Sequence, residues 1–505
     1  MNPCRIPRTT STDKPNLIYI LADDMGYGDL SCLNEKAQFK TVHLDRLARD
    51  GMRGADAHAS SSVCTPSRYS LLTGRYNWRS VLKSGVTYGY SPPIIEKGRL
   101  TVASMLREQG WRTACVGKWH LGLEWALKDG GVASSDQDEA QVDFSAPVKG
   151  GPCDFGFDTF FGISASLDMP PYVYVKDDRV TSVPVRHVEP CRGMGFWRGG
   201  WIADDFKHEE VLTRLTTEVE SLIGEYAKSD QPFFIYFPLP APHTPILPTE
   251  PFRGKSGTNA YGDFCLQVDD TVGRVMHALK DNGLEENTIV IFTADNGCSP
   301  MADFEALARF GHHPSYTFRG MKSDIFEGGH RIPFVLRWPG VVPPDSVCAQ
   351  TFCLSDLVAT MAEITGFELP ADAAEDSISN LSLWTQPAAA LPVRDATVHH
   401  SINGSFSIRK GSWKLEMCPG SGGWSLPRGN TPEEIEGLPA IQLYDLGSDI
   451  GERHNRCAEH PEIVEELKAL LTAYVNHGRS TPGKPQPNTG CKHWPQLHWL
   501  SEQAL

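Results

Sequence analysis

Short apolar runs alternate along the chain with segments whose apolar positions recur every three or four residues, the pattern of buried strands followed by amphipathic helices. The first run, 17–22, ends directly on Asp23 and Asp24. Helical patterns follow at 43–50, closed by Gly51, and at 102–109, where Thr101 is placed to cap the first turn and Gly110 lies past the last. The run 113–116 delivers Gly117 and Lys118. Segment 210–223 puts Leu212, Leu215, Val219, Leu222 and Ile223 on one face and precedes the run 233–237. Val268, Val272, Val275, Met276 and Leu279 mark another helix, stopped at Asn282 and Gly283, ahead of the run 289–293. Such alternation predicts an α/β fold with a largely parallel sheet wrapped by helices. Three runs end on polar residues: Asp23 and Asp24, Pro242 and His243, Asp295 and Asn296. Ligands of open α/β sheets lie beyond the carboxyl ends of the strands, so one site assembled from distant segments is expected.

The later chain reads differently. Residues 366–392, rich in Ala, Asp, Ser and Pro, predict a surface connection. Segment 405–416 predicts a hairpin with a Lys-Gly turn, and 461–475 an amphipathic helix with Pro in its first turn and acids near its start. We therefore expect an N-terminal catalytic domain over 14–394 and a smaller α+β subdomain over 395–505, its last twenty-odd residues a tail laid over the surface. No internal repeat is visible.

Composition narrows the functional classes. With 40% hydrophobic and 22% charged residues, collagen, coiled coil and wholesale disorder are excluded. A net charge of −15 argues against nucleic acid and anionic lipid as partners, so an anionic substrate needs a local positive pocket. The longest apolar stretch, around 233–242, is interrupted by prolines and far too short to span a bilayer. Residues 1–15 hold two Arg and no apolar segment, so no secretory signal is expected in the chain as given. That leaves the compartment open: periplasmic, secreted or lysosomal after loss of a leader, cytoplasmic otherwise. Thirteen Cys without a C-x-x-C pair announce neither a disulfide framework nor a zinc site; Cys348 and Cys353 read as ordinary buried thiols.

The decisive string is Cys64-Thr65-Pro66-Ser67-Arg68, continuing to Leu72-Thr73-Gly74-Arg75. Thr65 suits an N-cap, Pro66 the first helical position and Gly74 the closing one, which puts Cys64 beside a helix N-terminus, where anions are favoured. A lone Cys there would be a core thiol. The whole string, however, resembles the C-x-P-S-R-x-x-x-L-T-G signature of the type I sulfatases, and the resemblance implies that a separate maturation enzyme oxidises Cys64 to formylglycine. The hydrated aldehyde carries two hydroxyls: one attacks sulfur, the other then expels sulfate, whereas a Ser would stay sulfated. Activation of the attacking hydroxyl calls for a metal. Asp23 and Asp24 in DDMGYGD, and Asp295 and Asn296 in TADNG, match the family's metal motifs and supply hard oxygen ligands, with residue 64 completing the set. The resemblance implies Ca²⁺, with Mg²⁺ as the other candidate.

The family's cationic motifs are matched too. Gly117-Lys118-Trp119-His120-Leu121-Gly122 resembles G-K-W-H-L-G, whose Lys and His contact the hydrate and the sulfate. Ala241-Pro242-His243-Thr244-Pro245 resembles the P-H-x-P segment whose His lies near the scissile oxygen, which makes His243 the candidate general acid. Arg319-Gly320-Met321-Lys322, leading to EGGHRIP at 327–333, resembles the segment whose Lys binds sulfate. Arg68 is expected to orient the hydrate and the metal ligands. Ser166 and Asp168, in GISASLD, resemble a shorter segment whose Ser contacts the hydrate. His58, His312 and His313 are read as structural or surface residues, with a loop at 311–318 able to reach the substrate mouth.

The resemblance runs over about 14–460 and, within the family, points to the arylsulfatase A and N-acetylgalactosamine-6-sulfatase group. It implies an alkaline-phosphatase-like sandwich: a large mixed, mostly parallel sheet flanked by helices, plus a small C-terminal antiparallel unit. It also implies hydrolysis of a sulfate monoester with S–O cleavage, exo-acting on a sulfated sugar such as galactose or N-acetylgalactosamine sulfate, or on an aryl sulfate. Two other readings stand beside it. A phosphomonoesterase or phosphodiesterase of the same superfamily would want two metals and a Ser or Thr nucleophile. A carbohydrate-binding pseudoenzyme would keep Cys64 as a thiol. None of the twelve Trp is assigned a sugar-stacking role.

Overall fold

The computed structural model of the chain describes residues 14–500, so the expectation drawn from residues 1–15 falls almost wholly outside them. Five parallel strands lie side by side in the order Thr288–Ala294, Asn16–Ala22, Phe233–Pro238, Arg112–Lys118, Thr159–Ile163. Every residue of the first three is buried, as required of strands covered on both faces. Short strands extend the sheet to ten, with Phe334–Arg337, Met52–Gly54 and Ser346–Cys348 on one side and Val175–Lys176 and Arg179–Val180 on the other. Four of these added pairings are antiparallel, which makes the sheet mixed. The helices form two packed groups: Val42–Arg49, Val211–Tyr226 and Ala260–Asp281 in one, Cys64–Thr73, Val102–Glu108 and Leu357–Thr365 in the other.

Local signals explain most boundaries. Thr101 accepts from Ser104 N and starts its helix as the sequence suggests. The Ala260–Asp281 helix begins well before its apolar pattern because Asn259 accepts from Tyr261 N and Gly262 N. The Cys64–Thr73 helix closes on Gly74 in the left-handed region as expected, but its N-cap is Val63, not Thr65. The Thr65 hydroxyl is diverted to Thr87, whose backbone N–H it accepts at 3.2 Å. Cys64 is consequently the first helical residue.

A second, four-stranded antiparallel sheet runs in the order Thr397–His400, Phe406–Lys410, Trp413–Glu416, Gln442–Asp445, with the Pro461–His477 helix against it. Its core of Val398, Phe406, Ile408, Leu415, Leu443, Leu467 and Leu471 also takes in Tyr76 and Trp78, which follow the Cys64 helix. Segment 366–392 is not a plain surface connection: Glu375 and Asp376 are buried, and Asp376 receives Arg79 Nε at 2.8 Å and Nη2 at 2.9 Å. Polar composition misleads there because the acids are paired with buried arginines instead of water. Nor does the tail simply lie over the surface, since Thr489 N donates to Arg79 O and Trp494 and Leu497 enter the second core. Cys348 and Cys353 are buried free thiols. Among the described residues no helix is long and apolar enough to cross a membrane.

Candidate active site

All five parallel strands spend their carboxyl ends on one place. Asp23 and Asp24 follow Asn16–Ala22, Asp295 and Asn296 follow Thr288–Ala294, and the Phe233–Pro238 strand leads to His243. Lys118 ends its strand with His120 two residues on, and Thr159–Ile163 leads to Ser166 and Asp168, an exit the apolar pattern did not reveal. The ends are tied to one another: Asp23 N donates to Ala241 O (2.9 Å), Asp295 N to Ala22 O (3.1 Å) and His120 N to Ser164 O (3.0 Å). Cys64 arrives on its helix, and Lys322 from an irregular segment whose N–H meets Cys298 O at 2.9 Å. Asp24, His120 and Ser323 hold left-handed φ values of 64°, 58° and 83°. Each such residue costs about 1–3 kcal/mol, strain that clusters where side chains must be aimed.

Three carboxylates face three cations in this buried floor. Asp23 takes Lys118 Nζ on Oδ2 at 2.7 Å, and its Oδ1 receives the Cys64 thiol at 3.4 Å and faces Arg68 Nη2 at 3.6 Å. Asp24 takes Lys322 Nζ at 2.8 Å and Asn296 Nδ2 at 2.7 Å, with His243 Nε2 3.5 Å away. Asp295 accepts Arg68 Nε (2.9 Å) and Nη2 (2.8 Å) on one oxygen and Asp24 N (3.2 Å) on the other. Burial alone would raise the Asp23 carboxyl, but Lys118 and its cationic neighbours overcome it and hold Asp23 well below the usual range. Asp295 is raised by burial and by Asp23, Arg68 offsetting only part of the effect.

Two further groups have defined states. Burial and Asp295 push the Cys64 thiol up, so the unmodified side chain is a neutral thiol and a poor nucleophile. Burial and the Lys118 charge push His120 well down, so its ring is neutral. His120 Nε2 donates to Thr87 O at 2.8 Å, which leaves Nδ1 as a bare acceptor. His243 Nδ1 donates to Thr244 O at 2.7 Å, which turns Nε2 toward Asp24.

Four buried polar atoms here have no hydrogen-bond partner: Asn296 Oδ1, His120 Nδ1, Ser166 Oγ and Asp168 Oδ1, the last with His243 Nδ1 at 3.9 Å. Orphaned atoms are uncommon in native interiors and are places that a water, an ion or a ligand can satisfy. His120, Ser166 and Asp168 line a cleft of about 410 Å³ together with Cys64, His243 and Lys322. The floor also fits a divalent cation. Ligand atoms of Asp23, Asp24, Cys64 and His243 converge within 4.8 Å, and the free Asn296 Oδ1 is a further hard donor. Asp295 borders the same floor and, like Asp23 and Asp24, has both oxygens engaged, by Asp24 N and by Arg68.

Sequence reasoning missed much of the cleft wall. Tyr88, Phe196, Arg198, Met301, Ile402 and Trp424 line it, and no motif marks any of them. Arg198 is paired with Asp168. The loop at 311–318 does not line this cleft: His312 is buried against Asp29 at 2.8 Å, and His313 is exposed. His58 lies in a separate buried cluster, in keeping with a structural reading.

Known proteins share this arrangement of chain. The family model described as Sulfatase matches residues 15–367. An N-acetylgalactosamine-6-O-sulfatase of Bacteroides thetaiotaomicron is 35% identical over 91% of this chain and 93% of its own. Human arylsulfatase A is 29% identical over 96% of each. A solved Bacteroides thetaiotaomicron structure, described under the metabolism of multiple glycosaminoglycans, superposes with a TM-score of 0.79 at 34% identity, covering 91% of this chain and 99% of the other.

Proposed function

The chain belongs to the sulfatase family and is a sulfuric ester hydrolase, and we propose that it removes sulfate, by S–O cleavage, from a galactose or N-acetylgalactosamine unit at the end of a glycan. The observation that carries the sugar reading is the pair of orphaned atoms Ser166 Oγ and Asp168 Oδ1 in the cleft wall. A site built to bond hydroxyls discriminates against ligands that lack them, because its buried polar groups are then left unpaired. A simple aryl sulfate has no hydroxyl to offer Asp168. The names of the relatives, N-acetylgalactosamine-6-O-sulfatase above all, support the same class.

In this reading Ca²⁺, or Mg²⁺, would be held by Asp23, Asp24, Asp295, Asn296 and residue 64, with Arg68 bracing Asp295. When bound, the cation would supply Lewis acidity, and a formylglycine hydrate at position 64 would supply two hydroxyls. Lys118 and Lys322, each salt-bridged to an aspartate, bind the sulfuryl oxygens and meet the growing negative charge. Arg68 spans Asp295 and Asp23 and keeps both carboxylates aimed inward. His120 Nδ1, a free acceptor, takes the proton of a hydroxyl at position 64. His243, when its ring carries a proton on both nitrogens, gives the Nε2 proton to the departing sugar oxygen and keeps the Nδ1 proton on Thr244 O. Since Cys64 is 1% exposed, its conversion by a maturation enzyme belongs before folding is complete.

The test is sulfate release, read by ion chromatography, from N-acetylgalactosamine 6-sulfate, galactose 6-sulfate and the matching phosphate esters, using protein co-produced with a formylglycine-generating enzyme. Release from the sugar sulfates alone is expected. Turnover of the phosphates at an equal or higher rate would shift the reading to a phosphoesterase. Binding of the sugar without turnover, with residue 64 still a thiol by mass spectrometry, would make this a carbohydrate-binding pseudoenzyme.

A further inference from the structure

A sulfate group needs only cations, so an apolar wall beside the cationic floor has to serve the rest of the substrate. Trp424 stands in that wall with Ile402, Met301 and Tyr88. Its side chain is 41% exposed and stacked on no ring among the described residues. It belongs to the loop between Trp413–Glu416 and Gln442–Asp445, two strands of the small sheet, far in sequence from the strand ends that build the floor.

That loop is fixed to the floor by the segment 323–325, with Asp324 making most of the bonds. Asp324 Oδ1 accepts Trp424 N at 2.8 Å and Ser425 N at 3.0 Å, while Oδ2 accepts Met321 N at 3.0 Å and the Ser425 hydroxyl. Ser323 Oγ accepts Trp424 N as well, at 2.9 Å, and Ile325 N donates to Ser421 O at 2.8 Å. Gly423 permits the approach: a Cβ there would sit 2.4 Å from Ser323 O and 2.5 Å from Asp324 Oδ1. Asp324 lies two residues beyond Lys322, so the indole and the ammonium that faces Asp24 are registered through the same short segment.

We infer that Trp424 is a specificity-determining residue: its indole is the platform on which the sugar ring carrying the sulfate lies, so the C-terminal sheet completes the substrate site. A rigid aromatic plane meets the C–H face of a sugar with little loss of side-chain freedom, and an anchor registered to Lys322 sets the ring's distance from the sulfate. The inference rests on the sugar-sulfate reading above.

Trp424→Ala and Trp424→Phe are to be compared with the wild type on N-acetylgalactosamine 6-sulfate, with inorganic sulfate as a competing product. Trp424→Ala should raise KM by about tenfold with kcat little changed, and Trp424→Phe should recover most of the loss. The inhibition constant of sulfate should not move, because that anion touches only the cationic floor. An unchanged KM in Trp424→Ala overturns the inference. So does a sulfate constant that rises in step with KM, which would mean that the loop merely props up Lys322. A wild type that hydrolyses aryl sulfate but no sulfated sugar overturns the sugar reading and this inference together, whereas an active wild type with an indifferent Trp424→Ala overturns this inference alone.

Discussion

Among the described residues three sets of buried side chains each bring three or more ligand atoms within 4.8 Å; two of them share His58 and form one cluster, the third is the floor under Cys64, and the two clusters are built differently. The floor under Cys64 opens on a cleft and leaves acceptors unpaired. The other cluster lies at the junction with the C-terminal sheet, where His58 of a two-stranded pair and His330 of the short helix Glu327–His330 meet His399. Its charges are consumed internally: Arg409 is bidentate to Asp56 at 2.8 Å on each side, and Lys414 Nζ reaches Glu452 at 2.7 Å, Glu327 at 3.2 Å and Glu416 at 3.3 Å. The His330 and His399 rings stack with centroids 3.9 Å apart and planes 10° from parallel. An ion lying in the plane of one ring would lie outside the plane of the other, so that pair cannot share a metal. Shifted pKa values and unpaired polar atoms, His399 Nε2 among them, occur in both clusters; what separates the site from the structural network is that it opens on a cleft.

The contrast breaks most sharply at Cys64. Cys64→Ala should abolish turnover and leave thermal unfolding near that of the wild type, since the thiol's one hydrogen bond is a long contact to Asp23. Measurable sulfate release by that variant would remove residue 64 from the reaction altogether. Next in size is His243→Ala, expected to lower the rate on a sulfated sugar by about 10²–10⁴-fold, the range for losing a general acid. An activated aryl sulfate, whose phenolate leaves unaided, should be far less affected. Equal losses on the two substrates would move the acid role to Lys322.

In the junction the same kind of substitution should act on folding instead. Lys414→Met strands Glu327 and the neighbouring acids without their shared cation, and breaking a buried pair in this way costs about 3–5 kcal/mol. Urea unfolding should show that loss, while kcat/KM of the protein that stays folded is unchanged. A variant of normal stability and reduced kcat/KM would erase the distinction between the two clusters.

How far the sequence reveals this contrast depends on the distance over which each feature is determined. The runs ending at Asp23, Lys118, His243 and Asp295 are legible because strand periodicity and the strand-end rule are local. Ser166 was reached through resemblance and not through its strand, whose pattern is too short to stand out. Thr65 failed as a cap because Thr87, 22 residues away, claims its hydroxyl. Asp376 read as solvated because its partner Arg79 lies 297 residues distant. Trp424 and Arg198 are invisible for the same reason: loop placement by Asp324, or pairing with Asp168, leaves no periodic trace along the chain.

The smallest expected effect concerns His400, which ends a strand of the small sheet directly beside His399. It is 1% exposed, its Nδ1 donates to Ser401 O at 3.1 Å, and its Nε2 has no partner, so there is no place for a second proton. Burial pushes its pKa down to about 4, against about 6.5 in the unfolded chain. As pH falls below 6.5 the unfolded state takes up a proton that the folded state refuses. Stability is therefore whole above that value and drains toward pH 4, by about 1.4 kcal/mol per unit at full slope and about 2 kcal/mol between pH 7 and 5. His58, His330 and His399 are pushed the same way by burial, whereas Glu416 and Glu452, raised by burial, act in the opposite sense. Comparing wild type with His400→Gln cancels those contributions. Urea unfolding at pH 7 and pH 5 should show the variant losing about 2 kcal/mol less than the wild type over that interval; parallel losses would mean that the folded chain accommodates the His400 proton after all, and that the junction is more open than its packing indicates.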